Sequence, residues 1–245
     1  MRPEQLKETL ASLLSGNIQL DEAISAISGT NAYGQLDIDR QERTGQAEAI
    51  FGEGKTPAQV IGFAKSLIQN NQPVLCTRIT EDDASVVQTH LPQLDYHPEA
   101  RCLYWRPQSP WKSIEKAGII CAGTTDLPVA HEARLTLEML GHQSEMFVDV
   151  GVAGIHRLFD KLSAIKEKSV LIVIAGMEGA LPSVVSGLVA SPVIATPTSV
   201  GYGTNLNGLT TMLSMLSSCS PGIGTVNINN GYGAAKLAAR ILEIK

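Results

Sequence analysis

The chain has 245 residues, 44% of them apolar and 18% charged, which is typical of a globular protein with one large domain or a domain and a smaller one. A formal net charge of −5 argues against a broad nucleic-acid-binding surface, which needs a basic face, but is compatible with a phosphorylated small molecule. Glycine or charge interrupts the apolar runs before membrane-spanning length and the amino terminus has no apolar signal core, so we expect a soluble cytoplasmic protein without a nucleic-acid or membrane partner.

Residues 1–110 are predicted to form a smaller α/β region. Its patterns predict, in chain order, helices Pro3–Leu14 and Leu20–Ile27, a strand Leu36–Asp39, a helix Pro57–Asn70 and a strand Val74–Thr80. Thr56 is expected to cap the last of these helices, with Pro57 in its first turn. Charged residues concentrate between residues 37 and 55, where the turn Gly52-Glu53-Gly54-Lys55 could place Lys55 on a phosphate; a solvated helix face is the alternative.

A linker is predicted near Gln108–Lys112, where a polar stretch rich in proline and histidine ends, and residues 111–245 then alternate regularly between strands and helices. The predicted strands are Gly118–Ala122, Glu145–Val150, Ser169–Ala175, Pro192–Thr196 and Gly224–Asn227. The predicted helices are Val129–Leu140, Ile155–Glu167, Ala180–Ala190, Gly208–Ser217 and Gly231–Glu243. This alternation predicts an α/β fold in which helices cover both faces of a parallel sheet.

Ligands of such sheets bind beyond the carboxyl ends of the strands, which selects five loops as candidate sites. The loops are Gly123–Pro128, Gly151–Arg157, Gly176–Leu181, Pro197–Gly203 and Asn229–Gly233. In the first loop, the small residue Gly123 and the hydroxyls of Thr124 and Thr125 precede a helix, a pattern that favours an anion. A plain capping turn with Asp126 as the N-cap is the alternative.

Two other loops contain side chains that are able to do chemistry. His156 titrates near neutral pH and Arg157 can bind a phosphate or carboxylate with two hydrogen bonds, although both also suit an ordinary helix surface. Glu178 stands in a glycine-flanked turn after the most apolar strand, where a carboxylate can act as a base, position water or bind a metal; capping of the next helix is the alternative. The stretch TPTSVGYGTNLNG resembles a phosphate- or ribose-binding loop in character but matches no Walker or Rossmann fingerprint.

The four cysteines are scattered and lack zinc-site spacing, which indicates cytosolic thiols rather than a disulfide framework. Cys76, Cys102 and Cys121 fall in or near predicted strands or the linker region and are interpreted as structural. Cys219 follows a helix and precedes a Pro-Gly pair, so we expect an accessible thiol that, as a thiolate, is the strongest nucleophile of the chain. A buried, inert cysteine is the alternative.

Long motifs of the chain resemble the LarB family of nickel-pincer cofactor biosynthesis proteins. They are DIDRQERTGQAEAIFGEGKT, AGTTDLPVAHEA, DVGVAGIHRL, IVIAGMEGALPSVVSGLVASPVIATPTSVGYG and MLSSCSPGIGTVNINNGYGA, and they cover nearly the whole chain from Leu36. From Gly118 onwards the chain also resembles, more distantly, the PurE carboxylase of the purine pathway. There, a GS-x-SD-x-P loop and an A-H-R-T-P motif hold a ribonucleotide and CO2. The resemblance implies a PurE-like three-layer parallel-sheet domain.

The LarB resemblance implies a reaction on nicotinic acid adenine dinucleotide. CO2 or bicarbonate supplies a carboxylate at C5 of the pyridinium ring and the phosphoanhydride is cleaved, with Mg2+ assisting, to give pyridinium-3,5-biscarboxylic acid mononucleotide and AMP. Because C5 of a pyridinium is electron-poor, a thiolate that adds at C4 is needed to turn C5 into an enamine carbon. That carbon attacks CO2, and loss of the C5 proton and of the thiolate restores the aromatic ring.

The resemblance also implies a role for each candidate residue. Cys219 is the expected covalent catalyst, and His156 or Asp126 is the expected acid/base at C5. The phosphate of the mononucleotide is expected on Gly123, Thr124, Thr125 and Arg157, and Mg2+ or the ribose on Glu178 and the Ser199–Gly203 loop. Further substrate-binding residues are expected at Gly176, Met177, Gly179, Ser199, Gly201, Tyr202, Gly203 and Asn230. The adenylate half is expected near Arg40, Arg43 and Lys55.

The chain departs from the two patterns at a few positions. Thr125 stands where both families usually have serine, His156-Arg157 lacks the following Thr-Pro of PurE, and Glu178 lies where PurE has small residues or histidine. Because PurE relatives share sites between subunits, a homo-octamer is expected. Two alternatives stay open: a purine-pathway aminoimidazole ribonucleotide carboxylase or mutase, which needs no nucleophilic cysteine, and a non-catalytic nucleotide-binding regulator.

Overall fold

The computed structural model describes residues 3–28, 30–31 and 33–244. The chain divides into two compact units, Met1–Ser109 and Pro110–Lys245, and each has hydrophobic cores of its own. They are called the N-terminal unit and the C-terminal unit below.

The N-terminal unit combines helices with short strands. Its described helices are α1 (Pro3–Leu14), α2 (Leu20–Ser28), α3 (Arg40–Thr44), α4 (Pro57–Gln69) and α5 (Glu81–His90). Its described strands are β1 (Thr30–Asn31), β2 (Gly34–Gln35), β3 (Ile50–Phe51), β4 (Val74–Thr77), β5 (Asp95–His97) and β6 (Cys102–Trp105). Strands β1 and β2 pair antiparallel, and the other four form a sheet in the order β3-β4-β6-β5 in which β3 and β4 are the parallel pair.

Helix α4 begins where its sequence predicts. The hydroxyl of Thr56 accepts a hydrogen bond from the Gln59 backbone, and the Gln59 side chain accepts one from the Thr56 backbone, which completes a capping box. Pro57 occupies the first turn, where its missing N–H has no helical partner to lose. The face that the helix buries in the core consists of Val60, Phe63, Ala64 and Leu67. These residues are spaced three or four apart, as one face of a helix requires.

The predicted strand over Leu36–Asp39 is wrong, because the backbone turns there instead of extending. The Ile38 amide donates to Leu36 O at 3.0 Å and the Arg40 amide donates to Asp37 O at 3.0 Å, after which α3 begins. The alternation of apolar residues still has a structural meaning, since Leu36 and Ile38 are both buried in the core of the unit. Burial at every second residue therefore does not require a strand when local turn bonds satisfy the backbone.

The C-terminal unit has the predicted parallel architecture. Its strands are β7 (Ser113–Cys121), β8 (His142–Val148), β9 (Val170–Ala175), β10 (Val193–Pro197) and β11 (Ile223–Thr225). Its helices are α6 (Leu127–Met139), α7 (Ile155–Lys166), α8 (Leu181–Ser186), α9 (Leu209–Leu216) and α10 (Gly231–Leu242). All neighbouring strands run parallel, in the order β11-β10-β9-β7-β8.

Helices cover both faces of this sheet, which makes three layers. On one face, Ile119 of β7 and Ile172 of β9 pack with alanines of α6 and α10, whose small side chains allow a close approach. On the other face, Val173 of β9 packs with residues of α7, α8 and α9, among them Leu158. Strand β9 is buried along its whole length, as a central strand of a doubly covered sheet should be. The prediction of a three-layer fold around a parallel sheet is confirmed.

Helix α8 ends at Ser186, well before its predicted end at Ala190. Gly187 follows it, and the Leu188 amide donates to Val185 O in a tighter turn instead of continuing the helix. Glycine disfavours a helix because it loses the most backbone freedom on ordering. The helix is therefore a short, buried segment that crosses from one edge of the sheet towards the other.

Candidate active site

Asp126 is a buried carboxylate at the carboxyl edge of the sheet. It closes the 3-10 turn of Thr124–Asp126 between β7 and α6, and its side chain is 4% exposed. One oxygen accepts a hydrogen bond from Thr198 Oγ1 at 2.6 Å, and the other accepts from the Gly123 amide at 3.2 Å. The side chain therefore joins the loops after β7 and β10, and it does not cap α6.

The surroundings of Asp126 suit it to proton transfer. Burial raises its pKa, and the hydrogen bonds from Thr198 and Gly123 offset only part of that rise. Thr124 and Thr125 beside it are exposed, so their hydroxyls face solvent at this edge. Cys121 donates to Gly123 O, and burial raises the pKa of its thiol to about 12, which makes it a poor nucleophile.

Arg157 lies after β8 with its guanidinium paired to Asp149. Its Nη1 donates to Asp149 Oδ2 at 2.5 Å, and its Nε is buried without a hydrogen-bond partner among the described residues. The guanidinium packs on Gly154, where a Cβ would lie 2.7 Å from Nε. A side chain at residue 154 would therefore displace the Arg157 guanidinium, while His156 beside it is exposed.

The loop after β9 is fastened to the segment that precedes α9. The Met177 carbonyl accepts from Asn205 Nδ2 at 3.0 Å and from Thr211 Oγ1 at 2.5 Å, and the Met177 amide donates to Val200 O. At Gly176 a Cβ would lie 2.4 Å from Val200 O, so only glycine fits. Gly179 adopts φ 68°, in the left-handed region that favours glycine, and Glu178 between these glycines is exposed.

The loops after β10 and β11 are tied to each other. Asn229 accepts from the Ser199 amide and donates to Ser199 Oγ, both at 2.9 Å. Tyr202 stands between Gly201 and Gly203 and is 83% exposed, which places an aromatic ring in solvent at this edge. Asn230 has a structural task, since its side chain accepts from the Gly233 amide and caps α10.

Most of the predicted site residues therefore lie at one edge of the sheet. They are Gly123, Thr124, Thr125, Asp126, His156, Arg157, Gly176, Met177, Glu178, Gly179, Ser199, Gly201, Tyr202, Gly203 and Asn230. Thr198 and Asp149, the partners of Asp126 and Arg157, are not among the site residues predicted from the sequence. Both directly follow a strand, and that position is the signal that could have selected them.

Cys219 lies at the opposite edge of the sheet. Helix α9 starts beside the carboxyl end of β10, where Gly208 approaches Thr198, and runs back, so the turn at residues 217–222 precedes β11. The Gly222 carbonyl accepts from the amide of Val193, the first residue of β10. Four residue steps along β10 at about 3.3 Å each separate the two edges by roughly 13 Å. The thiol therefore does not meet Asp126 of the same chain.

The exposure of the four thiols follows the prediction. All four cysteines lie in the described part of the chain, and Cys76, Cys102 and Cys121 are buried whereas Cys219 is exposed. Burial raises the pKa of Cys76 to about 12, against a smaller lowering by Lys55. Exposure at the turn excludes the alternative of a buried, inert Cys219.

Two of the predicted anion ligands of the N-terminal unit, Arg40 and Arg43, already have partners within that unit. Arg43 donates to both carboxylate oxygens of Asp37, at 2.9 and 2.6 Å, and these hydrogen bonds lower the pKa of Asp37. Arg40 lies 3.6 Å from Glu48 and 4.0 Å from Asp37. Lys55 is half-buried in the turn after β3, where its amide donates to Gly52 O. The two arginines thus hold the turn over 37–48 together.

Neither a metal site nor a membrane segment is found in the described residues. These residues contain no group of three or more His, Cys, Asp or Glu side chains arranged to hold a metal ion. Within the same residues, no helix combines the length and apolar character needed to cross a bilayer.

Two family models match the chain in succession. Residues 29–108 match the LarB/PurE-like N-terminal domain, and residues 116–245 match AIR carboxylase. An uncharacterized protein of Methanocaldococcus jannaschii is 41% identical over 255 residues, which cover 98% of this chain and 98% of that protein. The similarity to this protein therefore extends over both units.

Other similar proteins match the C-terminal unit. The N5-carboxyaminoimidazole ribonucleotide mutase of Thermotoga maritima is 35% identical over 54% of this chain and 77% of its own, and that of Pyrococcus abyssi is 38% identical over 54% and 76%. A crystal structure of a Treponema denticola PurE2 variant covers 53% of this chain and 79% of its own, at 24% identity and a TM-score of 0.44. From the two successive family matches and the full-length relative, we conclude that the chain belongs to the LarB/PurE-like family, with a carboxylase-family domain after a LarB-type N-terminal domain.

Proposed function

We propose that the protein carboxylates C5 of the pyridinium ring of nicotinic acid adenine dinucleotide and hydrolyses the phosphoanhydride. The products are pyridinium-3,5-biscarboxylic acid mononucleotide and AMP. The observation that carries the proposal is the exposed thiol of Cys219, in contrast to three buried ones. An electron-poor pyridinium ring needs a nucleophile before it can react with CO2, whereas an electron-rich aminoimidazole ring does not.

In the proposed reaction the Cys219 thiolate forms a bond to C4 of the ring, and the ring electrons move onto the nitrogen. C5 is then an enamine carbon and forms a bond to the carbon of CO2. A base removes the C5 proton, the C4–S bond breaks and the pyridinium is restored, so that a carboxylate replaces one hydrogen and no oxidant is consumed. Hydrolysis of the phosphoanhydride consumes one water, and we assign no residue to that step.

Asp126 is our candidate for the base at C5. Its buried carboxyl has a raised pKa, so it can take up a proton and release it again closer to neutral pH than an exposed aspartate. His156, exposed at the same edge, is the other candidate. The hydroxyls of Thr124 and Thr125 and the guanidinium of Arg157 are available to the phosphate of the mononucleotide. Mg2+ remains part of the proposal, as an ion that would be held in part by the phosphates of the dinucleotide, and we route no step through it.

The distance between thiol and acid makes a second copy part of the proposal. Cys219 and Asp126 occupy opposite edges of one sheet, so we propose that one copy supplies the thiol and another supplies the carboxyl edge. Helix α9, which leads to Cys219, presents an apolar face suited to such an interface. Its exposed residues are Leu209 (40%), Leu213 (54%) and Leu216 (62%). A homo-octamer is the assembly that we propose.

Product analysis tests the reaction. Incubation with nicotinic acid adenine dinucleotide, bicarbonate and Mg2+ should give the biscarboxylated mononucleotide and AMP by mass spectrometry, and Cys219→Ser should abolish the carboxylation. Unchanged dinucleotide with the wild-type protein would remove the proposal. The curated relatives suggest one competing activity, a mutase that acts on N5-carboxyaminoimidazole ribonucleotide. Turnover of that nucleotide by both the wild type and Cys219→Ser would favour the competitor.

Mixing of two inactive variants tests the shared site. Cys219→Ala and Asp126→Asn should each be inactive, and co-refolding them in equal amounts should restore about a quarter of the wild-type activity. The reason is that one site in four then receives both functional residues from different copies. Co-refolding of either variant with itself is the control. A mixture as inactive as its components, despite formation of mixed oligomers, would show that one chain supplies both residues.

A further inference from the structure

We infer that Ser183 and Ser186 of α8 are positioning residues for the Cys219 thiol. The inference rests on the proposed function and deepens it, because it names the side chains that fix the turn carrying the nucleophile. The turn is called the Cys219 turn below and comprises residues 217–222.

One attachment lies on the amino-terminal side of Cys219. Ser218 Oγ and Ser183 Oγ are 2.8 Å apart and share a hydrogen bond across 35 positions of the sequence. Ser218 Oγ also accepts from the amide of Ser220 at 3.2 Å, which bends the backbone around Cys219. Ser218 and Ser220, the neighbours of Cys219 in sequence, are thus both linked to the hydrogen-bonded hydroxyls of Ser218 and Ser183.

A second attachment lies on the carboxyl-terminal side. Ser186 Oγ donates to Pro221 O at 2.6 Å, and Gly222 O accepts from the Val193 amide at 3.0 Å as β10 begins. Pro221 has no N–H and can be held through its backbone only at its carbonyl. The hydrogen bond from the Ser186 hydroxyl of α8 to that carbonyl therefore fixes this part of the turn. Ser183 and Ser186 are three residues apart and therefore share one face of their helix.

Helix α8 is itself fixed by packing in the hydrophobic core. Leu181 and Val185 are 1% exposed and belong to the core under the sheet. The hydroxyls that hold the turn therefore have little freedom of their own, while Cys219 between the attachments stays exposed. A nucleophile that must reach one ring carbon gains from this arrangement, because a displacement of about 1 Å can reduce a rate by two orders of magnitude.

The test compares five variants of the full-length protein with the wild type. Ser183→Ala and Ser186→Ala each remove one attachment, and the double variant removes both. Ser183→Thr keeps the hydroxyl and should rescue function. Ser217→Ala is the control, since the Ser217 hydroxyl lies two residues from Cys219 in sequence but bonds to Leu213 O of α9 and not to α8.

Three measurements separate positioning from a general structural role. In the double variant, kcat for the carboxylated product should fall by about tenfold or more while KM for the dinucleotide stays near the wild-type value, because the bound substrate is unaffected. Hydrogen exchange of a peptide covering the Cys219 turn should accelerate in the double variant and not in Ser217→Ala. Circular dichroism should show that all variants are folded.

The outcomes distinguish this inference from the proposed function. If Cys219→Ala keeps its activity, the proposed function fails and the positioning role fails with it. If Cys219→Ala is inactive but the double serine variant keeps the wild-type kcat and the same hydrogen exchange, only the inference about Ser183 and Ser186 is overturned. Loss of kcat in Ser217→Ala to the same extent would also overturn it, because the effect would not depend on α8.

Discussion

At the scale of single residues, Asp126 combines burial with two hydrogen-bond donors that favour its charged form. Burial has the larger effect, so the pKa of Asp126 is raised. The hydrogen bond from the Thr198 hydroxyl lowers the pKa and so offsets part of that rise. Removal of the Thr198 hydroxyl leaves Asp126 buried but takes away one of the two hydrogen bonds that stabilise its carboxylate. The Asp126 pKa should then rise further.

That consequence can be measured if Asp126 is the base. In Thr198→Val, the acid limb of kcat/KM should move to higher pH relative to the wild type, because a base must be ionised to accept the C5 proton. Thr198→Ser keeps the hydroxyl and should retain the wild-type limb. An identical limb in Thr198→Val would assign the titration to another group, such as His156.

The loops that surround Asp126 were predictable because parallel strands bring their carboxyl ends together and the strands were recognisable as buried runs. The position of Thr198 after a strand marks it as a candidate, but its pairing with Asp126, 72 residues away in sequence, becomes visible only in the fold. The position of Cys219 was not predictable either. The residues around Cys219 predict an exposed thiol. Its location at the amino-terminal edge of the strands results from the course of α9, which runs from the carboxyl end of β10 back to the start of that strand.

At the scale of elements, long segments with strong signals were predicted best. Helix α4 has a capping threonine, a first-turn proline and a spaced apolar face, and each signal supports the same start. Strands β1, β2 and β3 have two residues each, too few for an alternation to appear. Strand β4 ends at Thr77 because Arg78 adopts φ 56°, a backbone conformation that the extended pattern up to Thr80 does not reveal.

The start of α4 should contribute measurably to the stability of the N-terminal unit. Thr56→Ala removes the hydroxyl that accepts from the Gln59 amide, and the free energy of unfolding should fall by about 1 kcal/mol. Trp105 packs against the core that α4 helps to form, so its fluorescence in a urea titration is a suitable measurement. Thr56→Ser should lose little, and an unchanged midpoint in Thr56→Ala would show that the cap is dispensable.

At the scale of the whole molecule, a polar cluster around the buried His142 ties the two ends of the C-terminal unit together. His142 at the start of β8 is 1% exposed, with Nδ1 2.8 Å from Ser113 Oγ and Nε2 3.3 Å from Glu243 Oε1. Glu243 also pairs with Lys112. His142 thus links residues 112–113 to residue 243. The imidazole of a solvent-exposed histidine titrates near physiological pH, so a histidine in such a link can make stability depend on pH.

The cluster predicts how stability depends on pH. Burial lowers the pKa of His142 more than Glu243 raises it, so as the pH falls below about 6.5 the unfolded chain takes up a proton that the folded chain resists. The free energy of unfolding should therefore decrease between pH 7 and pH 5 in the wild type, by at most about 1.4 kcal/mol per pH unit from this group. His142→Gln cannot titrate and should lose that part of the slope, whereas His90→Gln, at an exposed histidine of the N-terminal unit, should keep it. Equal slopes in the wild type and His142→Gln, measured by urea unfolding at each pH, would contradict a role for His142, because the slope would then arise from other carboxylates and histidines.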